Sequence, residues 1–211
     1  IQLLLVAGDL MAERDDMLEP QDLPGRYGRV VQSIDRILTS TGIEAVLGGG
    51  WAVWRHGFAA RVTVDVDVAL PADRIDEFMR VAAISGFQIL AHKPGRWPKM
   101  MHKDTGVQVD ILPEGARPGR ADNLAPTTIP HPNTMGATAK RLRYMTLPAL
   151  MVLKLAAGRE KDQFDVVELL RTNEKHVDSL RTHVALVHER YGDDFDRLAR
   201  SAAATNAEES E

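Results

Sequence analysis

The sequence predicts an α+β half followed by a helical half, with the change near residue 140. Three observations predict it. The stretch "RVTVDVDVAL" at 61–70 alternates apolar and polar residues with period two, the pattern of a strand with one covered face. On either side of it, residues 28–40 and 71–86 carry apolar residues at helical spacing. From Leu147 onward every pattern is helical.

In order along the chain, "GRVVQSIDRILTS" places Val30, Val31, Ile34, Ile37 and Leu38 on one helical face, with Gly42 as its stop. "EAVLGG" reads as a short buried strand entering a glycine turn, and "WAVWRHGF" as a short helix ending near Gly57. In the strand over 61–70, Val62, Val64, Val66 and Val68 share one face; Arg61, Thr63, Asp65 and Asp67 share the other. "PADRIDEFMRVAAISG" is a helix with Pro71 and Asp73 at its start and Gly86 at its end. "FQIL" and "MHKDTGVQVDIL" give further strands, the latter two joined at "DTG". Residues 113–138, rich in Pro, Gly, Asn and Thr, read as a long loop or as a region with only irregular strands. Helices then follow over "LPALMVLKLAAG", "EKDQFDVVELLRT", Lys175–Tyr191 and Asp193–Ala199. The divisions are an N-terminal extension (1–27), an α/β core (28–140), a helical region (141–200) and a flexible, acidic tail (201–211).

Composition narrows the function classes. At 211 residues, with 44% hydrophobic and 27% charged residues, the chain is long enough for a sizeable core. A net charge of −4 supplies no general attraction to nucleic acid. The absence of cysteine removes disulfides, thiolate catalysis and sulfur-ligated zinc, and fits a reducing, cytoplasmic setting. The opening "IQLLLVAGDLMAERDD" is too short and too acidic for a signal peptide, and Met11 is a candidate native start. No segment reaches membrane-spanning length.

Chemistry gathers around two features. Asp65 and Asp67, at i and i+2, point to one side of a strand with Cα atoms roughly 7 Å apart. Like charges so placed repel unless a cation stands between them, and hard divalent cations take carboxylate oxygens while keeping positions open for phosphate. The bland reading is a solvent-facing polar strand face. The glycines at 48–50 offer bare backbone for close approach to an anion, one short helix away in sequence. A third acid, Asp110 in "VQVDIL", sits on another alternating strand opposite Val107, Val109 and Ile111. Three strand-borne carboxylates can hold two Mg²⁺ or Mn²⁺ ions and activate a hydroxyl for in-line attack on a nucleotide phosphate.

The glycines, the Asp-X-Asp pair and the later strand acid resemble the DNA polymerase β-like nucleotidyltransferase superfamily. The glycine pair is Gly48-Gly49 or Gly49-Gly50, with "GGWA" favouring Gly49 and Gly50. Within that superfamily the chain is most similar to the AbiEii-like branch, many of whose members are toxins of bacterial toxin–antitoxin pairs. The stretches that carry this are Arg61 and Thr63 before the acid pair, and "VLKLAAGREKDQFD" with Lys154, Arg159, Lys161, Asp162 and Asp165. The three glycines in a row, the spacer "FAARVTV" and the short helical half depart from that branch.

The resemblance implies a nucleotidyltransferase fold with a small mixed β-sheet flanked by helices, followed by the C-terminal helical region. It implies catalytic and metal-binding Asp65, Asp67 and Asp110, with Gly49, Gly50, Arg61, Thr63, Lys154, Asp162 and Asp165 at the nucleotide. The substrate is then an NTP such as ATP. The acceptor is an RNA or tRNA end, a protein or a small molecule, and an antitoxin protein is an implied partner. Lys154, enclosed by Leu153, Leu155 and Ala156, reads equally as a snorkelling surface lysine.

A non-catalytic binding module with the same fold and a metal-dependent nuclease remain open beside the transferase. Of the other motifs, Trp51 and Trp54 read as core anchors and His56 as a structural histidine. The basic runs "GRWPKMMHK" and "KRLRY" read either as charged loops or as grips on an RNA backbone. The seven histidines show no zinc spacing.

Overall fold

The structure, a computed structural model, describes residues 19–90, 96–120 and 122–208. The N-terminal run and the candidate start at Met11 lie outside the described residues. The chain divides into two compact units. One takes the described residues of 1–55, 59–116 and 130–145; the other takes those of 56–58, 117–129 and 146–211.

The first unit is built on a six-stranded mixed sheet of order β3-β4-β5-β2-β1-β8. Its strands are β1 (Val46–Leu47), β2 (Asp65–Leu70), β3 (Phe87–Ile89), β4 (Lys99–His102), β5 (Gln108–Pro113) and β8 (Arg143–Tyr144). The central pair, β2 and β5, is parallel; β1 runs antiparallel to β2 and parallel to β8, and β4 antiparallel to both β3 and β5. This is the expected mixed sheet flanked by helices.

Helix α1 (Gly25–Thr41) forms on the predicted apolar stripe and ends at Gly42, whose φ of 67° lets its N–H close on the Leu38 carbonyl at 2.8 Å. Helix α2 (Gly49–Arg55) starts on the glycines themselves. Helix α3 (Ile75–Ile84) follows a 3-10 turn at Ala72–Arg74 and precedes Gly86, at φ 93°. Val66, Val68 and Leu70 of β2 and Val109 and Ile111 of β5 join one core cluster with the α1 stripe and with Phe78 and Ala82 of α3. Full burial of each large apolar side chain stabilises by about 1.5–3 kcal/mol. Trp51 and Trp54 are buried, edge to face at 6.0 Å, and Trp51 also meets Tyr27 at 4.7 Å.

The strand expected over 61–70 is regular only from Asp65, and its predicted apolar face is corrected accordingly. Val66 and Val68 are buried, whereas Val62 and Val64 are 57% and 64% exposed. The alternation changes phase because Thr63 is drawn inward instead. A Cβ on Gly50 would lie only 2.6 Å from the Thr63 side chain, so the glycine leaves room for that residue, and the Tyr27 hydroxyl donates to the Thr63 carbonyl at 3.4 Å.

The second unit holds the short hairpin β6 (Gly119–Arg120) and β7 (Asn123–Leu124), which falls in the region read as loop or irregular strands. Its helices are α4 (Leu147–Ala157), α5 (Glu160–Thr172), α6 (Val177–Val187) and α7 (Glu189–Glu208). The helix predicted over 175–191 is in fact two, because His188 adopts extended backbone (φ −165°, ψ 137°). The last helix runs on through residues read as a flexible tail, to Glu208. Its early turns are anchored by buried Tyr191, Phe195, Leu198 and Ala202. Among the described residues, no helix is long and apolar enough to cross a membrane.

Candidate active site

Parallel pairing of β2 with β5 sets Asp67 directly beside Asp110, and Asp65 beside Gln108. In each strand the intervening residues, Val66 and Val109, are buried, so all four polar side chains share the opposite, half-exposed face. Antiparallel pairing then adds Lys99 of β4 next to Asp110. Lys99, Asp110 and Asp67 therefore form a single row across three neighbouring strands, each step about 4.8 Å.

The glycine turn closes on this row. The Gly48 N–H donates to the Asp67 carbonyl at 2.8 Å. Gly49 has a φ of +57°, and a Cβ built on it would lie 1.7 Å from Asp67 Oδ2. No side chain fits there, so bare backbone is required both by the left-handed conformation and by the contact. Gly50 packs in the same way on Thr63. Gly48 and Gly49 thus both meet Asp67 of the acid strand, and Gly50 meets Thr63 just before it.

Thr63, buried, donates its hydroxyl to Asp65 Oδ1 at 3.1 Å and orients that carboxylate. Arg61 Nη1 donates to the Val62 carbonyl at 2.5 Å. Asp110 is differently held. Gln108 Nε2 donates to its Oδ1 at 2.6 Å, and the Lys99 ammonium forms a salt bridge with its Oδ2.

Among the described residues, no group of three or more His, Asp or Glu side chains is arranged to hold a metal ion. The three acids share a face without forming such a group. Asp65 and Asp67 are hard oxygen donors on one half-exposed face, the residues of this site that could hold a divalent cation.

Lys154, Asp162 and Asp165 occupy the second unit. They form a cluster of their own, with Lys154 Nζ 3.0 Å from Asp162 Oδ1 and 2.7 Å from Asp165 Oδ2. All three are buried, which corrects the snorkelling reading of the lysine: its ammonium is inside. Arg159 adds Nε at 2.5 Å and a second guanidinium nitrogen at 3.2 Å to Asp162. Burial alone raises the Asp162 pKa, but the hydrogen bonds from Arg159 and the charges of Lys154 and Arg159 outweigh it and hold it below 3.8.

Of the basic run "GRWPKMMHK", Lys99–His102 forms β4. His102 is buried on β4, bonded to Ser33 Oγ at 3.1 Å and to Thr105 Oγ1 at 3.0 Å, and burial holds its pKa below 6.5. In "KRLRY", Leu142 is buried while Arg141 and Arg143 pair with Glu19 at 3.3 and 3.8 Å. The Lys99 partner of Asp110 was not foreseen: only the strand register reveals it. Gln108, two residues before Asp110 on an alternating strand, was within reach of the pattern.

No family model matches the chain, and no curated sequence matches it. Among solved structures, the chain is similar to the crystal structure of ANT(2'')-Ia in complex with adenylyl-2''-tobramycin, at 15% identity over 84% of this chain and 97% of that one, TM-score 0.45. It is also similar to the solution structure of the antibiotic-resistance factor ANT(2'')-Ia, at 14% identity over 86% and 94%, TM-score 0.43. A third likeness is to JHP933 from Helicobacter pylori, at 12% identity over 86% and 94%, TM-score 0.35.

Proposed function

We propose that the chain is a nucleotidyltransferase that moves an NMP group from an NTP such as ATP to an acceptor hydroxyl. The observation that supports this best is Gly49: its bare backbone packs on the Asp67 carboxylate, beside Asp65, on a half-exposed sheet face. A triphosphate carries negative charge and its own dication, and the paired acids are the residue type that would take the dication. A Mg²⁺ or Mn²⁺ ion held by Asp65 and Asp67 would draw charge from the phosphates.

The protein's own groups do the rest. Thr63 fixes the Asp65 carboxylate through its hydroxyl. Each Asp110 oxygen keeps a second lone pair beyond its bond to Lys99 or Gln108, so the carboxylate can still accept a hydrogen bond from the acceptor hydroxyl. The acceptor oxygen attacks the α-phosphorus, its proton passes to Asp110, and the bond to the β-phosphate oxygen breaks, its electron pair leaving with pyrophosphate. Lys154, Asp162 and Asp165 have no part in this reading, since Lys154 and Arg159 together balance the two carboxylates.

Incubation with α-labelled NTPs and total RNA, aminoglycosides or the protein alone tests it, with Asp65→Ala as the control. Label carried to an acceptor by wild type and not by the variant is expected. Shortened RNA without label identifies a nuclease instead, and no turnover of any kind with retained nucleotide binding identifies a binding module. A role as the toxin of a toxin–antitoxin pair rests on the resemblance of the 61–67 and 154–165 stretches. Its test is toxicity on expression that an adjacent gene relieves.

A further inference from the structure

Four side chains form a block on the half-exposed face of β2 and β5. Asp65 stands beside Gln108 and Asp67 beside Asp110, so three corners carry acids and the fourth an amide. Gln108 and Asp110 flank buried Val109 and therefore lie on one face of one strand, roughly 7 Å apart at their Cα atoms. The Gln108 side chain spans that gap, and its Nε2 donates to Asp110 Oδ1 at 2.6 Å. Lys99, the register partner of Asp110 on β4, holds the other oxygen in a salt bridge.

We infer that Gln108 is a positioning residue that acts through Asp110, the group that takes the acceptor proton; the inference rests on the nucleotidyltransferase reading above. The χ2 torsion of an aspartate is broad, so the side chain itself does not set the plane of its carboxylate. A donor on one oxygen alone lets that plane turn about the bond. Donors on both oxygens, one from its own strand and one from β4, fix it. Proton transfer needs the accepting oxygen within hydrogen-bond reach of the hydroxyl at the moment of attack, and small misplacements are costly. The residue type suits its corner, because an amide donates without bringing charge. A lysine at 108 would put a cation next to Asp65, and a glutamate would put a fourth negative charge among three. An asparagine, one methylene shorter, falls short of Oδ1.

Steady-state kinetics on the full chain test it, with α-labelled ATP and whichever of total RNA, aminoglycosides or the chain itself takes label from wild type. Gln108→Met keeps the length and loses the donor; Gln108→Asn keeps the amide and loses the reach. Each should lower kcat by about ten- to a hundredfold, the scale of a misplaced reacting group. The KM for ATP should stay within about twofold of wild type, because Gln108 is read as no ligand of the nucleotide. Both variants should melt within about 2 °C of wild type, since the replaced side chain is half-exposed and outside the core. An unchanged kcat in either variant overturns the inference. So does a KM that rises as far as kcat falls, or a loss of kcat that comes with a lower melting temperature in both variants. No label transferred by wild type to any of the three acceptors overturns the proposed function itself, and the inference with it.

Discussion

Two charged clusters in this chain look alike in sequence and differ in what surrounds them. On β2 and β5, Asp65, Asp67 and Asp110 stand on a half-exposed face, with the glycine turn packed against one of them. On α4 and α5, Lys154, Asp162 and Asp165 are buried within their helices' unit and bonded to one another. The first cluster keeps oxygens on an accessible surface; the second uses its charges internally. A charged residue at a motif-like position is therefore open to a ligand when it stands on an accessible face, and not when it is buried against its own counter-charges.

Removing one member of each cluster should break the comparison most sharply. Lys154→Met takes the ammonium from buried Asp165 and leaves Asp162 with Arg159 alone, and should cost about 3–5 kcal/mol of stability, read as a large fall in denaturant midpoint. Because the Asp162 pKa lies below its ordinary 3.8, its stabilising charge is fully present above that value. It is lost as the pH falls through the lower folded value, so acid unfolding should begin near this cluster.

In the sheet cluster the effect should fall on activity. Asp67→Ala should lower nucleotidyl transfer by about a hundred- to a thousandfold, the scale of removing one preorganised electrostatic partner, with the melting temperature nearly unchanged. An Asp67→Ala protein that melts far lower while the Lys154→Met protein melts normally would reverse the assignment of the two clusters.

Gly49→Ala sharpens the comparison at intermediate size. A left-handed φ costs a β-carbon residue about 1–2 kcal/mol, and the new methyl displaces the Asp67 carboxylate that it would meet at 1.7 Å. Stability and activity should therefore fall together, whereas Gly42→Ala, also at positive φ but with nothing within 4 Å, should lose stability alone.

The smallest effect is expected at His102. Burial holds its pKa below 6.5; Asp104 opposes this and Arg29 and Arg36 add to it. The folded state binds fewer protons there than the unfolded chain, so stability is full above about pH 6.5 and declines as the pH falls through the folded value. His102→Gln should flatten that slope in melts between pH 7 and 5.

Much of this was legible from residue spacing. The α1 stripe of Val30, Val31, Ile34, Ile37 and Leu38 is buried as its period requires, and the face shared by Asp65 and Asp67 follows from alternation alone. The phase change at Thr63 was not legible, because its cause lies in Gly50 and Tyr27, far from the alternating pattern. Lys99 escaped notice for a similar reason: its partner is set by the register between β4 and β5, which the turn at 103–106 decides. For Lys154, helical spacing showed that Asp162 and Asp165 share a face. It did not show that the chain reverses at Gly158, at φ 61°, to bring them onto the lysine.

The central claim is that nucleotide binds on the β2 face through Asp67 and its neighbours. Calorimetric titration of a nonhydrolysable NTP with Mg²⁺ into wild type and into Asp67→Asn, both checked for equal melting temperature, tests it most directly. Binding by wild type that weakens at least about tenfold in the variant, roughly 1.4 kcal/mol, is the predicted result; equal affinity of the two proteins would contradict it.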